Sequence, residues 1–125
     1  MKINENVKIG GKNTTLGDLR DCKDYTSQCA FTNCTLQSGK IMKFGRLVII
    51  QISILPSITN SWANICKVPK PLYPEKTFDN GTPLPGTEFW IYGTGAGNGE
   101  GNIRGGIEKD EIKTITSIYL CEESD

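Results

Sequence analysis

Apolar and polar residues are most regularly ordered between Phe44 and Leu55, where the chain reads FGRLVIIQISIL and then meets Pro56. Successive strand residues point to opposite faces, so a strand with one wet face should alternate strictly. The even positions, Phe44, Arg46, Val48, Ile50, Ile52 and Ile54, are almost wholly apolar. The odd positions mix Leu47, Ile49 and Leu55 with Gly45, Gln51 and Ser53. The pattern predicts a strand over 45–55 whose even face fills a core. Its odd face also calls for cover, either from a second layer of the same chain or from another subunit.

Beyond Pro56 lies a short apolar segment carrying Trp62 and Ile65, then a proline-punctuated loop with Val68-Pro69 and Leu72-Tyr73-Pro74. Trp62 is expected to cap the core and Tyr73 to anchor the loop. Turn signals follow at Asp79-Asn80-Gly81 and at Pro83-Leu84-Pro85-Gly86. A strand is predicted from Thr87 to Tyr92, with Phe89 and Ile91 on one face and Trp90 and Tyr92 on the other. Over 107–121, Ile112, Ile115 and Ile118 suit a helix face, but the run of Thr, Ile and Tyr favours a strand. That strand would set Ile112, Ile118 and Leu120 on one side, and Ile115, Tyr119 and Cys121 on the other.

The N-terminal part is less regular. Asn6 to Ile9 predicts a short strand turned by Gly10-Gly11. Thr15 is placed to cap a single helical turn, with Asp18 three residues on. Tyr25 to Leu36 has modest strand character and ends at Ser38-Gly39. The expectation is an N-terminal arm over 1–39 and a head domain over 40–125. Repeated short strands punctuated by Gly and Pro predict an all-β fold, an antiparallel sandwich.

Length and charge narrow the function. The chain has 125 residues, enough for one domain, with 14 basic and 14 acidic side chains. Lys and Arg are scattered, so no basic stripe points to nucleic acid. No apolar run approaches the roughly 18 residues of a membrane span. The start, MKINENVKIGG, lacks the apolar centre of a signal peptide, so the N-x-T sequons at Asn13, Asn33 and Asn80 are read as chance matches. Cys22, Cys29, Cys34, Cys66 and Cys121 are odd in number, form no CxxC, and have no histidine beside them. No metal site is expected. The thiols are expected to be reduced and structural, with pairing among Cys22, Cys29 and Cys34 left open for oxidising surroundings.

Catalytic chemistry finds little to stand on. Seven glycines fall between Gly93 and Gly106, but a dinucleotide site needs G-x-G-x-x-G opening a helix, and that spacing never occurs. No cofactor is expected. Without histidine, Ser-His-Asp and Cys-His mechanisms are excluded. Glu100, Glu108, Asp110 and Glu111 read as solvated charges, so the chain is expected not to be an enzyme. Sugar recognition uses another set of groups: an aromatic face for the C–H side of the ring, with amides, carboxylates and Arg for hydroxyls. Trp90 and Tyr92, beside Asn98, Glu100, Asn102 and Arg104, form such a set. The competing placement puts Trp90 inside the core or at a subunit contact.

GRLVIIQISI, followed by WANICKVP, LYP and a late SIYL, resembles the C-terminal head of bacteriophage tail-fibre and baseplate receptor-binding proteins. The resemblance covers roughly 43–121 and rests on Gly45, Trp62, Ile65, Pro69, Tyr73 and Pro74, with Val68 where leucine is usual. It implies a jelly-roll-like sandwich assembled as a homotrimer, with the odd strand face near the threefold axis. It also implies binding to a bacterial surface saccharide, contacts with other tail or baseplate proteins, and a place in the virion after assembly in the host cytoplasm. The chain departs from the family in having no heptads for a shaft. A structural or capsid-decorating virion protein of similar fold, without a sugar site, is the alternative.

Overall fold

The computed structural model describes residues 7–9, 12–14, 22–75 and 81–122, the first two segments by backbone alone. The strands are β1 (Val7–Ile9), β2 (Lys12–Thr14), β3 (Lys23–Asp24), β4 (Ala30–Phe31), β5 (Cys34–Phe44), β6 (Leu47–Pro56), β7 (Asn60–Lys67), β8 (Thr82–Pro83), β9 (Trp90–Ile91), β10 (Asn102–Ile107) and β11 (Lys113–Leu120). Short 3-10 turns lie at Thr26–Gln28, Lys70–Leu72 and Gly97–Gly99. β1 and β2 form a separate hairpin. The others make two antiparallel sheets, ordered β4-β7-β10-β9-β8 and β11-β6-β5-β3. The Thr15 helical turn and Asp79-Asn80 lie outside the described residues. No helix among the described residues is long and apolar enough to cross a membrane.

One core lies between the sheets. The four-stranded sheet contributes Ile41, Val48, Ile50, Ile52, Ile54, Ile115 and Tyr119, and the five-stranded sheet contributes Ala63, Ile65, Cys66, Ile91, Ile103 and Ile107. The expected even face of the long strand is buried from Val48 to Ile54. Its first two members are not part of it. Gly45 and Arg46 form the two-residue turn between β5 and β6, with Gly45 at φ +61°, which is the type II′ pattern. Phe44 therefore belongs to β5 and shares the outer face with its partner Leu47. The last strand takes the expected register: Ile115 and Cys121 are fully buried, whereas Ile112, Ile118 and Leu120 are exposed.

Two other expectations change. β5 runs unbroken through Ser38 and Gly39 and across the proposed arm boundary at residues 39 and 40. It does so through a bulge between Leu36 and Ser38. Gly39 sits at φ +99°, and a Cβ there would lie 2.0 Å from Gln51 O, so only glycine fits the irregularity. Upstream of that point, β3 pairs with β5, β4 pairs with β7, and Tyr25 is buried in the core. The predicted strand over 87–92 shrinks to Trp90–Ile91. The chain from Leu84 to Phe89 is a tight loop, in which Leu84 N–H donates to Phe89 O and the Thr87 hydroxyl donates to Leu84 O.

Polar groups inside the core are satisfied by backbone. The Lys43 ammonium donates to Pro71 O at 2.9 Å, and the Tyr119 hydroxyl to Leu72 O at 2.6 Å. Both bonds hold the 3-10 turn of the proline loop against the four-stranded sheet. Tyr73 is buried, in keeping with its expected anchoring role.

Candidate saccharide site

The outer face of the five-stranded sheet gathers most of the polar and aromatic groups singled out from the sequence. A bulge in β7 sets the geometry: Ile103 faces Cys66, yet Arg104 faces Asn64, so one residue is skipped. Ile65 and Cys66 both turn inward and are fully buried. Trp62, Asn64 and Lys67 are left on the outside, beside Arg104 and Asn102 of β10. On the other flank Arg104 is paired with Trp90 of β9.

Arg104 lies in the angle between two rings. Its guanidinium carbon is 5.2 Å from the centroid of Trp62 and 5.4 Å from that of Tyr92. The rings themselves meet edge to face, with centroids 6.4 Å apart and planes at 72°. A cation over ring faces is held by the ring quadrupole, with a gain of about 0.5–2 kcal/mol depending on desolvation. Each contact fixes the other side chains, so the platform is preorganised.

Tyr92 is on the outer side of the sheet, yet it is only 6% exposed. A Cβ on Gly81 would come within 2.8 Å of the Tyr92 ring, and one on Gly99 within 3.3 Å. The two glycines thus let backbone close over the ring, which makes Tyr92 a wall of the site rather than an outward platform. Trp62 shows the opposite correction. Expected to cap the core, it is 39% exposed and offers the open aromatic surface. Its outward placement follows from the strand parity of β7: Ala63 and Ile65 face in, so Trp62 and Asn64 face out.

The remaining candidates divide. Trp90 is half-buried and next to Arg104. Glu100 accepts from Gly95 N–H at 2.9 Å, and Asn102 donates to Gly99 O at 3.3 Å, so both brace the glycine loop. The Asn98 side chain lies outside the described residues. Asn64, unmarked by any sequence motif, is brought into the site by the bulge. Its Oδ1 and the Nε of Arg104 are covered and lack hydrogen-bond partners among the described residues.

The acid/base candidates are not assembled. Glu108, Asp110 and Glu111 are exposed in the turn between β10 and β11, away from Glu100 in the glycine loop. Among the described residues, Cys22, Cys29, Cys34, Cys66 and Cys121 form no disulfide. Burial pushes the Cys34 thiol up to about 11. Hydrogen bonding with Cys66 lowers the Cys29 thiol from its ordinary value, and the same contact, with burial, raises Cys66. Among the described residues no group of three or more His, Cys, Asp or Glu side chains could hold a metal. Compared with known protein families, curated proteins and solved structures, the chain finds no match.

Proposed function

We propose that the chain is a non-enzymatic receptor-binding head of the bacteriophage tail-fibre or baseplate kind, with a jelly-roll-like sandwich, that recognises a bacterial surface saccharide. The observation that carries this reading is the platform of Trp62, Arg104 and Trp90, walled by Tyr92. An exposed indole offers a flat apolar face to sugar C–H groups, while a guanidinium and amides at its edge offer directional polar contacts. The sequence resemblance to tail-fibre heads supplies the biological setting, in the virion, beside other tail or baseplate proteins.

The homotrimer belongs to the same proposal. Ile118, Ile49 and Met42 lie side by side across β11, β6 and β5, as do Leu120, Leu47 and Phe44. Ile118 is 53% and Leu120 41% exposed. A contiguous aliphatic patch of this kind suits burial against other copies of the chain. It equally suits another virion component, which favours the second reading: a structural virion protein without a sugar site.

The two readings part at the platform. Purified protein should bind bacterial surface polysaccharide, and the Trp62→Ala, Trp90→Ala double variant should weaken binding at least about tenfold, roughly 1.4 kcal/mol. Its melting temperature should stay near the parent value. Unchanged binding by the folded double variant would remove the platform and leave the structural reading.

A further inference from the structure

The charges on this face say more than that a sugar binds. We infer that its ligand is anionic, a saccharide bearing carboxylates such as a uronic-acid polymer. The inference rests on the saccharide reading and narrows it.

Arg104 is the starting point. A guanidinium carries five N–H donors and a fixed positive charge. Here the guanidinium lies over the faces of Trp62 and Tyr92. Among the described residues no carboxylate pairs with it, and its Nε has no acceptor. Glu100, the carboxylate of the adjacent loop, is turned onto Gly95 N–H. Arg46 makes a useful contrast: its guanidinium is bound to Glu75 at 2.6 Å and to Cys121 O at 3.1 Å. One arginine is bonded to a carboxylate and a carbonyl of the fold, and the other has no anionic partner among the described residues.

The strand positions around Arg104 have the same sign. Outward strand positions of this sheet carry Lys67 beside Asn102, and Arg104 beside Asn64, but no Asp or Glu. Rings on both sides of Arg104 lower the local dielectric, which strengthens a charge-assisted bond to a ligand. A carboxylate fits the planar guanidinium fork in two parallel bonds, and a neutral hydroxyl does not. With Nε covered, the carboxylate is expected at the terminal Nη pair. The Asn64 Oδ1, on the cross-strand partner of Arg104, has no donor among the described residues, and it suits a hydroxyl of the same sugar once the side chains adjust. A sugar acid offers both groups a few bonds apart.

Two panels of immobilised polysaccharide test this: polygalacturonate, alginate and hyaluronate against dextran, mannan and galactan, all at 150 mM salt or thereabouts to suppress loose charge attraction. Retention on a carboxylated polymer is expected, weakened about tenfold or more by Arg104→Gln, as loss of a charge-assisted bond implies. Arg104→Lys should fall between. Reducing the polymer's carboxyls to alcohols should abolish binding by the unaltered protein, which decides the matter even if a variant folds poorly. Binding confined to neutral polymers would overturn the anionic ligand and leave saccharide recognition standing. So would binding that survives both Arg104→Gln and carboxyl reduction. Binding to neither panel would overturn both.

Discussion

The two outer faces of the sandwich have been given opposite chemistry. The four-stranded sheet presents aliphatic side chains near the Gly45 turn, Ile118 with Ile49 and Leu120 with Leu47, and polar ones, Thr116 with Gln51 and Thr114 with Ser53, further along. The five-stranded sheet presents indoles, a guanidinium and amides. Aliphatic surface is driven out of water without regard to direction, so it suits a large, dry contact with another subunit. Aromatic faces and fixed donors are directional, and they suit a small polar ligand. Strand parity, together with the bulge in β7, thus leaves the two kinds of surface on opposite faces of the sandwich.

The largest effect should come from charging the aliphatic face. Ile118→Lys with Leu120→Lys should convert a trimer wholly to monomer, as read by light scattering, while saccharide binding per chain is retained. A parent protein that is already monomeric at micromolar concentration would remove the assembly role of this face. Next comes a change inside the other sheet. A Cβ on Gly105 would lie 2.3 Å from the Phe89 ring, so Gly105→Ala should overpack the core by about 1–3 kcal/mol. Phe89 precedes Trp90, so the variant should lose ligand affinity as well as stability. Loss of stability alone would mean that the platform is held independently of the core beneath it.

The aliphatic face was more legible in the sequence than the aromatic one. Val48 to Ile54 and Ile112 to Cys121 obey a period of two without interruption, and parity then fixes which side each residue takes. Irregularities break that logic elsewhere. A two-residue turn at Gly45-Arg46 moved Phe44 to the outer face. The bulge in β7 brought Asn64 beside Arg104, and no local pattern announces a bulge in NSWANICK. Tyr92 kept its predicted face, but glycines distant in sequence, Gly81 and Gly99, covered it. Glycine at every second position from Gly93 to Gly101 suits a tight loop, but nothing in that spacing says what the loop packs against. Trp62 could have been placed from parity with Ile65, had the segment been read as a strand of eight residues.

A smaller effect is expected at Trp62 alone. Trp62→Ala removes an exposed ring and one of the two contacts to Arg104, so affinity should fall several-fold with little change in melting temperature. Both tryptophans of the chain, Trp62 and Trp90, stand on this face. Ligand titration should therefore change the intrinsic fluorescence of the protein, and Ile118→Lys with Leu120→Lys should leave that change intact. A fluorescence response abolished by the lysine pair would show that the two faces are coupled.

Alkaline pH should act on neither face but on the interior they share. Cys34 opens β5 on one side, Cys66 lies in β7 on the other, and Tyr119 reaches toward the proline loop. Burial raises all three groups above their ordinary values, with the thiol contact from Cys29 the leading cause for Cys66. Below the ordinary thiol value of 9.0 these groups are protonated in both folded and unfolded chains, and they leave stability unchanged. Above it the unfolded chain releases protons that the folded chain retains, so the unfolded state is favoured, until Cys34 also ionises near 11 in the folded state. The lowered Cys29 thiol works in the opposite sense below about 9, where the unfolded chain keeps a proton that the folded chain releases. The melting temperature should therefore fall only above about 9, and Cys34→Ala should make that fall shallower. Because one core supports both sheets, ligand-responsive fluorescence and assembled mass should disappear over the same pH interval as the fold. Loss of one well before the other would mean that the face concerned carries its own titrating group.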